Sequence, residues 1–390
     1  MLAQLGGDLL SSIIWILFFI IMVFFGPRLM ATQTLLKLEK EATDLEEMAG
    51  KSKNYIIKSI TKKPNSKLKE NISNFLEFFS ITPVDTDPYG VIKKIDHIVR
   101  NSDQRFNYFV NQIAPDFSET KKRDIKNALE GAIMTYQIAK IVRHYIELIK
   151  KYKLFQLAMV IQMQLPLITR IAKAAMHATH AFVDGMPIGD GIGPLVALNL
   201  MKGNPKIFKE EEFVVTETNF TGRKVLVAKA EGPGASTGYP GKFLTKLTKK
   251  QRINKIITVD AALKLEGEKT GTIAEGVGVA IGGTGVDRYE IEEIAVKRNI
   301  PLDAVAIKLS DEDALMPIKK DVLDAVPNAI EAIRAAVLRS EKNEKILIIG
   351  VGNSCGIDNY YNAIPKIEER IKNHIKANEE KKKEGIIKLK

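Results

Sequence analysis

Hydrophobic and polar positions change their period along the chain, and each change predicts a different kind of structure. Residues 9–25 are apolar apart from Ser11 and Ser12 and run into Gly26-Pro27-Arg28. As a helix this run is roughly 25 Å long, enough with Leu29 and Met30 to cross a bilayer. Leu35, Leu38, Ala42, Leu45 and Ala49 then recur at three and four residues, the seam of a short coiled coil. Ile72, Phe75, Leu76 and Phe79 form one more amphipathic turn, and the proline-rich stretch 82–88 breaks the pattern. From there to residue 182 the period is helical, with Ile92, Ile95 and Val99, and later Ile125, Leu129, Ile133 and Tyr136, on inward stripes. Residues 154–168 are the most apolar part, but Gln156, Gln162, Gln164 and Pro166 interrupt them, so they read as a buried helix rather than a second crossing.

Beyond Met201 the pattern becomes short β-branched runs at 224–230, 255–259, 277–281, 304–309 and 345–351, with helical patterns at 286–298 and 320–339 between the later ones. Alternation of this kind predicts a mostly parallel sheet with helices on its faces. Ile364, Ile367, Ile371 and Ile375 then form a helical stripe that should pack on the body, ahead of a Glu- and Lys-rich tail. The fold class is therefore a single N-terminal transmembrane helix, a helical middle domain, and an α/β domain with a mostly parallel sheet flanked by helices. The domain ranges are 1–30 for the anchor, 31–87 for a juxtamembrane helix and basic linker, 88–182 for the helical domain, 183–358 for the α/β domain, and 359–390 for the last helix and tail.

Charge sets the expected orientation. No Lys or Arg precedes the apolar run, whereas Arg28, Lys37 and Lys40 follow it, which places the N-terminus outside and the body in the cytoplasm as a single-pass protein of the cell membrane. Residues 1–8 lack the basic start of a cleaved signal peptide, and no A-x-A-like cleavage site follows. The net charge of +11 comes from dispersed lysines, without an arginine-rich or aromatic-interleaved patch, so no nucleic-acid partner is expected. Seven lysines between Lys51 and Lys69, with no acid among them, form either a solvated linker or a surface for anionic headgroups. Membrane lipid is thus an expected partner, and a homo-oligomer through the short seam is a second. Cys355 is the only cysteine, which rules out an intrachain disulfide and any multi-cysteine zinc site.

The chemistry is expected around residues 188–201, I-G-D-G-I-G-P-L-V-A-L-N-L-M, where Gly189, Gly191 and Gly193 make a turn that presents Asp190 at the start of a helix. A capping Asp is the plain alternative. His177 and His180 stand at i and i+3 just upstream and could face a common ligand, or be ordinary core or surface histidines. Binding sites in such sheets lie at the carboxyl ends of strands. Asp260, the loop carrying Gly283, Gly285 and Asp287, and the loop carrying Asn353 all fall there. The run before Lys242 does not match a P-loop, nor do Gly276 to Gly285 keep G-x-G-x-x-G spacing, although a G-G-T-G turn opening a helix could hold an anion.

G-D-G-I-G-P-L-V-A resembles the G-D-D-G-x-G-P-x-x-A signature of the hydrogenase-maturation endopeptidases and related spore-protease-like proteins, and I-I-T-V-D-A-A resembles their second strand motif. Their opening strand motif looks like K-I-L-I-I-G-V-G-N at 345–353, so the order resembles a circular permutation. The resemblance implies a metal site at Asp190 and Asp260. The family's histidine has no counterpart after residue 281, which shifts the implied site toward oxygen ligands and Mg²⁺, Mn²⁺ or no metal. Asp287, His177 or His180 would supply a third ligand. The whole chain also looks like an archaeal family of membrane-anchored proteins of unknown function. The expected function is a metal-dependent hydrolase or peptidase-like protein using a divalent metal; the alternative is a membrane-tethered ligand-binding or scaffold protein.

Overall fold

The helices of the first half are α1 (Leu2–Ile60), α2 (Ser66–Phe75), α3 (Val91–Ile113), α4 (Glu119–Tyr152) and α5 (Phe155–Asp184). The structure is a computed structural model that describes residues 2–78, 90–283 and 285–387, though not the side chains of residues 2–14, 16–18, 20–29 and 381–387. The chain divides into two compact units, Met1–Gly50 with Met134–Lys173, and Lys51–Ile133 with Ala174–Lys390.

In the first unit, Leu38, Ala42 and Leu45 of α1 are buried against Val142 and Ile146 of α4 and Ala158 and Leu165 of α5. The stripe read as a coiled-coil seam is therefore filled within the chain. Arg143 reinforces the packing, bonding Glu39 at 2.6 Å and Glu46 at 2.7 Å. The backbone of 9–25 is helical as part of α1. Most of its side chains, and the break at 82–88, lie outside the described residues; Trp15 and Phe19 are exposed. Residues 154–168 are not the buried helix expected. Met159, Val160 and Met163 are 62%, 56% and 77% exposed, because the packing is met by the other face, Ala158, Leu165 and Ala172 with the partly buried Leu157, Ile161 and Ile168. Among the described residues α5 is long and apolar enough to cross a membrane, by length and composition alone.

The second unit holds the sheet. Its elements are α6 (Ile192–Leu200), β1 (Lys206–Phe208), β2 (Phe213–Phe220), β3 (Arg223–Ala230), α7 (Pro240–Lys250), β4 (Lys255–Leu263), β5 (Ile273–Val277), α8 (Val286–Arg298), β6 (Leu302–Leu309), α9 (Asp311–Leu315), α10 (Lys320–Leu323), α11 (Val326–Leu338), β7 (Ile346–Gly350) and α12 (Ile364–Ile387). The strand order is β1-β2-β3-β7-β4-β6-β5. The pairs β3–β7, β7–β4 and β4–β6 are parallel, whereas β1–β2, β2–β3 and β5–β6 are antiparallel. The sheet is thus mixed, not mostly parallel. Hairpin connections bring in β1, only three residues long, and β2, whose second half is the polar Glu217, Thr218 and Asn219. The strand expected at 277–281 is instead β5, ending at Val277; Gly278, at φ 114°, turns the chain off the edge. The helix expected at 320–339 breaks between α10 and α11, where Pro327 starts a new first turn.

Helices cover both faces. Phe243 and Leu244 of α7 and Ile291 of α8 join one core, and Leu195 of α6, Ile333 of α11 and Ile364, Ile367 and Ile371 of α12 join the other. β7 is buried at every position and lies between β3 and β4, as its unbroken apolar run predicts. Truncation before Lys345 removes that central strand, and the expected outcome is loss of the cooperative thermal transition of this unit. A truncated chain that still melts cooperatively, with native-like circular dichroism, would contradict the assignment.

Candidate functional site

The parallel strands create a crevice. The chain passes from β3 over α7 to β4, skipping one position, and returns from β6 over α11 to fill it with β7. Because α7 and α11 lie on opposite faces, the loops leaving the carboxyl ends diverge at β7 and β4, the switch point where such sheets bind ligands. A cleft of about 850 Å³ opens there, walled by these loops and by residues of α3, the first part of α4 and α8.

Asp190 enters the cleft from a single 3₁₀ turn, Gly189–Gly191, that leads into α6. It does not cap that helix. Its Oδ2 accepts a 2.8 Å hydrogen bond from the backbone N–H of Asn353, in the loop after β7. Gly193 explains why the turn reaches so deep: a Cβ there would lie 2.1 Å from the carbonyl of Val351 and 2.4 Å from that of Val259. None of Gly189, Gly191 and Gly193 has a positive φ; they are glycine because backbone passes against backbone. The helix is also buried nearly all round rather than on one face.

Asp260, on β4, is buried in the same cleft. Its Oδ1 accepts the N–H of Ala261 at 2.7 Å, and the N–H of Gly282 is a second backbone partner. Burial pushes its carboxyl well above the ordinary range, and Asp190 adds to the rise. Burial likewise raises Asp190, against the pull of the Asn353 N–H. The sequence motifs, about seventy residues apart, thus supply two carboxyl groups that oppose each other's ionisation and are partnered by backbone N–H groups.

Asp287 lines the outer part of the cleft, but its Oδ1 accepts the N–H of Gly241 at 3.1 Å, tying α8 to the start of α7. Burial raises its carboxyl too. Gly283 and Gly285 form the rim with φ near 80°, a conformation that favours glycine. The side chain of Asn353 is engaged in the fold, donating to Asn127 Oδ1 at 3.0 Å and accepting from Cys355 N at 3.0 Å. His177 and His180 are not among the residues that line the cleft. His180 stacks on Tyr55 at 4.0 Å, and burial lowers its pKa. Among the described residues no three His, Cys, Asp or Glu side chains gather closely enough to hold a metal ion. The third ligand drawn from Asp287, His177 or His180 is therefore not brought to Asp190 and Asp260.

Three groups escaped the sequence reading. Glu130 of α4 lines the cleft beside Lys126; the surrounding walls push its carboxyl up while the Lys126 charge draws it down, although its side chain stays open to solvent. Glu290 of α8 rises to about 7, through burial and then the nearby Asp287 and Asp96; its Oε2 has no hydrogen-bond partner. A lone acid beside an apolar stripe was the available signal for Glu130. Lys229 is wholly buried at the end of β3, donating to the carbonyls of Ala230 at 3.0 Å and Ile357 at 3.4 Å and to Asn359 Oδ1 at 3.1 Å. Burial brings its pKa down to about 7. A lysine closing the apolar run Val225-Leu226-Val227-Ala228 was its signal, and it clips β3 to the loop that follows Asn353. Across the whole cleft carboxylates outnumber lysines and arginines, although the chain carries a net +11.

Together these features define a helical N-terminal region followed by an α/β domain with a carboxylate-lined crevice at its switch point. Residues 12–185 match the family model for the N-terminal domain of a protein of unknown function (DUF1512), and residues 188–358 match the model for the DUF1512 C-terminal domain of unknown function. The matches span most of the chain, which belongs to this two-domain DUF1512 family. No curated protein matches it.

Proposed function

We propose that the sheet domain is a hydrolase, peptidase-like in kind, whose reacting groups are Asp190 and Asp260, and that the apolar run 9–25 tethers it to a membrane with the body on the cytoplasmic side. The observation that carries the first part is the pair of mutually repelling carboxyl groups in one cleft, Asp260 buried and Asp190 half-buried, an arrangement that costs stability and concentrates at functional sites. Its donor set is two carboxylates without a third acid or a histidine, which does not fit the resident nickel or zinc site of the resembling endopeptidases.

The pair itself supplies acid–base chemistry. With one carboxyl protonated by its environment and the other ionised, the ionised group takes a proton from water attacking the scissile carbonyl while the protonated group donates to the leaving nitrogen. The backbone N–H groups of Asn353, Ala261 and Gly282 hold the carboxyl groups in place. Acidic walls favour a substrate carrying positive charge.

Incubating the full chain with a mixture of lysine-rich peptides and counting new amino termini tests the reading. Wild type should cleave with a bell-shaped pH profile, and Asp190→Asn or Asp260→Asn should each cost at least about 100-fold. Wild type that binds such peptides but never cleaves them would replace the hydrolase with a binding module. For the tether, the one-sided Arg28, Lys37 and Lys40 support the orientation. Protease added outside intact cells should leave the body uncut, and digestion there would reverse it.

A further inference from the structure

We infer that the tip of the α4–α5 hairpin is a second membrane contact, seated in the headgroup region of an anionic bilayer beside the point where α1 leaves it. This inference rests on the proposed span at 9–25. Within the first unit, Arg143 meets Glu39 and Glu46 while Lys150, two turns farther along α4, bonds Glu39, so α4 runs antiparallel to α1. The chain turns at Lys153, in the left-handed conformation, and α5 runs back alongside α1, where Thr169 bonds Glu41 at 3.3 Å. Phe155 lies fourteen residues before Thr169, roughly 21 Å along the helix, which brings it about level with Pro27 at the end of the apolar run.

That tip is apolar and uncovered. Phe155, Met159 and Val160 are 48%, 62% and 56% exposed, and Tyr152 is exposed beside them. Exposed Lys151 and Lys153 flank the turn, with Lys151 lying over the Tyr152 ring at 5.1 Å, and Lys37 and Lys40 are exposed on α1. An aromatic and aliphatic knob ringed by lysines, at the level where a membrane-spanning helix emerges, matches the chemistry of an anionic lipid interface. The charge ring and the continuity of α1 with the apolar run select lipid over a protein partner.

The test places a bimane label on full-length protein reconstituted in vesicles of phosphatidylcholine and phosphatidylglycerol. Single labels sit at Met159→Cys, at Phe19→Cys in the span and at exposed Val296→Cys on α8; the native Cys355 is buried. Brominated lipid should quench the Met159→Cys and Phe19→Cys labels, while aqueous iodide quenches only Val296→Cys. Changing Lys151 and Lys153 to Gln should reduce the bromolipid quenching at Met159→Cys in these vesicles but not in pure phosphatidylcholine. Iodide quenching at Met159→Cys with bromolipid quenching at Phe19→Cys would sink the hairpin contact and leave the span standing. Iodide quenching at both would remove span and hairpin together. A Met159→Cys label shielded from both quenchers would mean that a second copy of the chain covers the tip, which also overturns the inference.

Discussion

Asp260→Asn is expected to stabilise the sheet unit at pH 8 while abolishing turnover. The wild-type carboxyl is raised well above its ordinary value by burial and by Asp190. A raised acid binds its proton more tightly in the folded state, so its favourable contribution is complete below the ordinary carboxylate range and is lost as pH rises through the raised value. Glu290, half-buried and raised to about 7, acts in the same direction, and the wild-type midpoint should decline between about pH 4 and 7 and beyond. Asparagine keeps an oxygen for the N–H groups of Ala261 and Gly282 and removes the charge that opposes Asp190. Each 1 kcal/mol recovered moves the midpoint of a unit this size up by about 2–4 °C. Thermal melts from pH 4 to 9 should therefore show a shallower decline for Asp260→Asn, crossing above wild type at high pH. A variant less stable than wild type at pH 8 would mean that the ionised carboxyl supports the fold, and the functional reading of the pair would fail.

Gly193→Ala should be among the most costly single methyls added near the cleft. The new Cβ would meet the carbonyl oxygens of Val351 and Val259 at 2.1 and 2.4 Å, and both belong to backbone at the central strands, which cannot swing aside as a side chain can. Overpacking against fixed backbone costs about 3 kcal/mol or more. The midpoint should fall by roughly 10 °C on that basis, or soluble protein should be lost. Gly276→Ala on β5 is the control, because a Cβ there meets nothing within 4 Å, and it should be neutral to about 0.5 kcal/mol. Equal midpoints for the two variants would show that α6 does not press on β4 and β7 as described.

Much of the architecture is legible in residue order because it depends on local periodicity. The apolar run of β7 announces a strand buried on both faces, the bounds of α8 follow from its pattern, and the isoleucines of α12 reach the core they should. Asp190 and Asp260 are likewise legible as positions, since a carboxylate after a glycine turn and another on a strand stand out from their neighbours. What pattern could not supply is partnership. The seam of α1 has a heptad-like spacing whether its complement is a second chain or, as here, α4 and α5. The outward face of α5 carries Met159 and Met163 in a sequence as apolar as a core helix, and only packing shows that nothing in its unit covers them. One antiparallel edge enters through hairpins, with β1 only three residues long, and at the other β5 pairs with β6 across the intervening α8, a partnership that residue order does not show.

The same division runs through the site. Sequence determined that glycine was needed at 193, but the reason is the approach of two strand carbonyls rather than a turn angle, a fact of three elements meeting. It offered Asp287, His177 and His180 as equal candidates for a third ligand, and tertiary packing separated them: α8 is tied to α7 through Asp287, while His180 lies on Tyr55. Glu290 and Lys229 do not stand out as functional groups by residue type, because it is burial in the folded chain that moves their ionisation toward neutrality. Local spacing determines which face of each segment is apolar. Only the folded chain decides what that face meets and which charges are taken out of water.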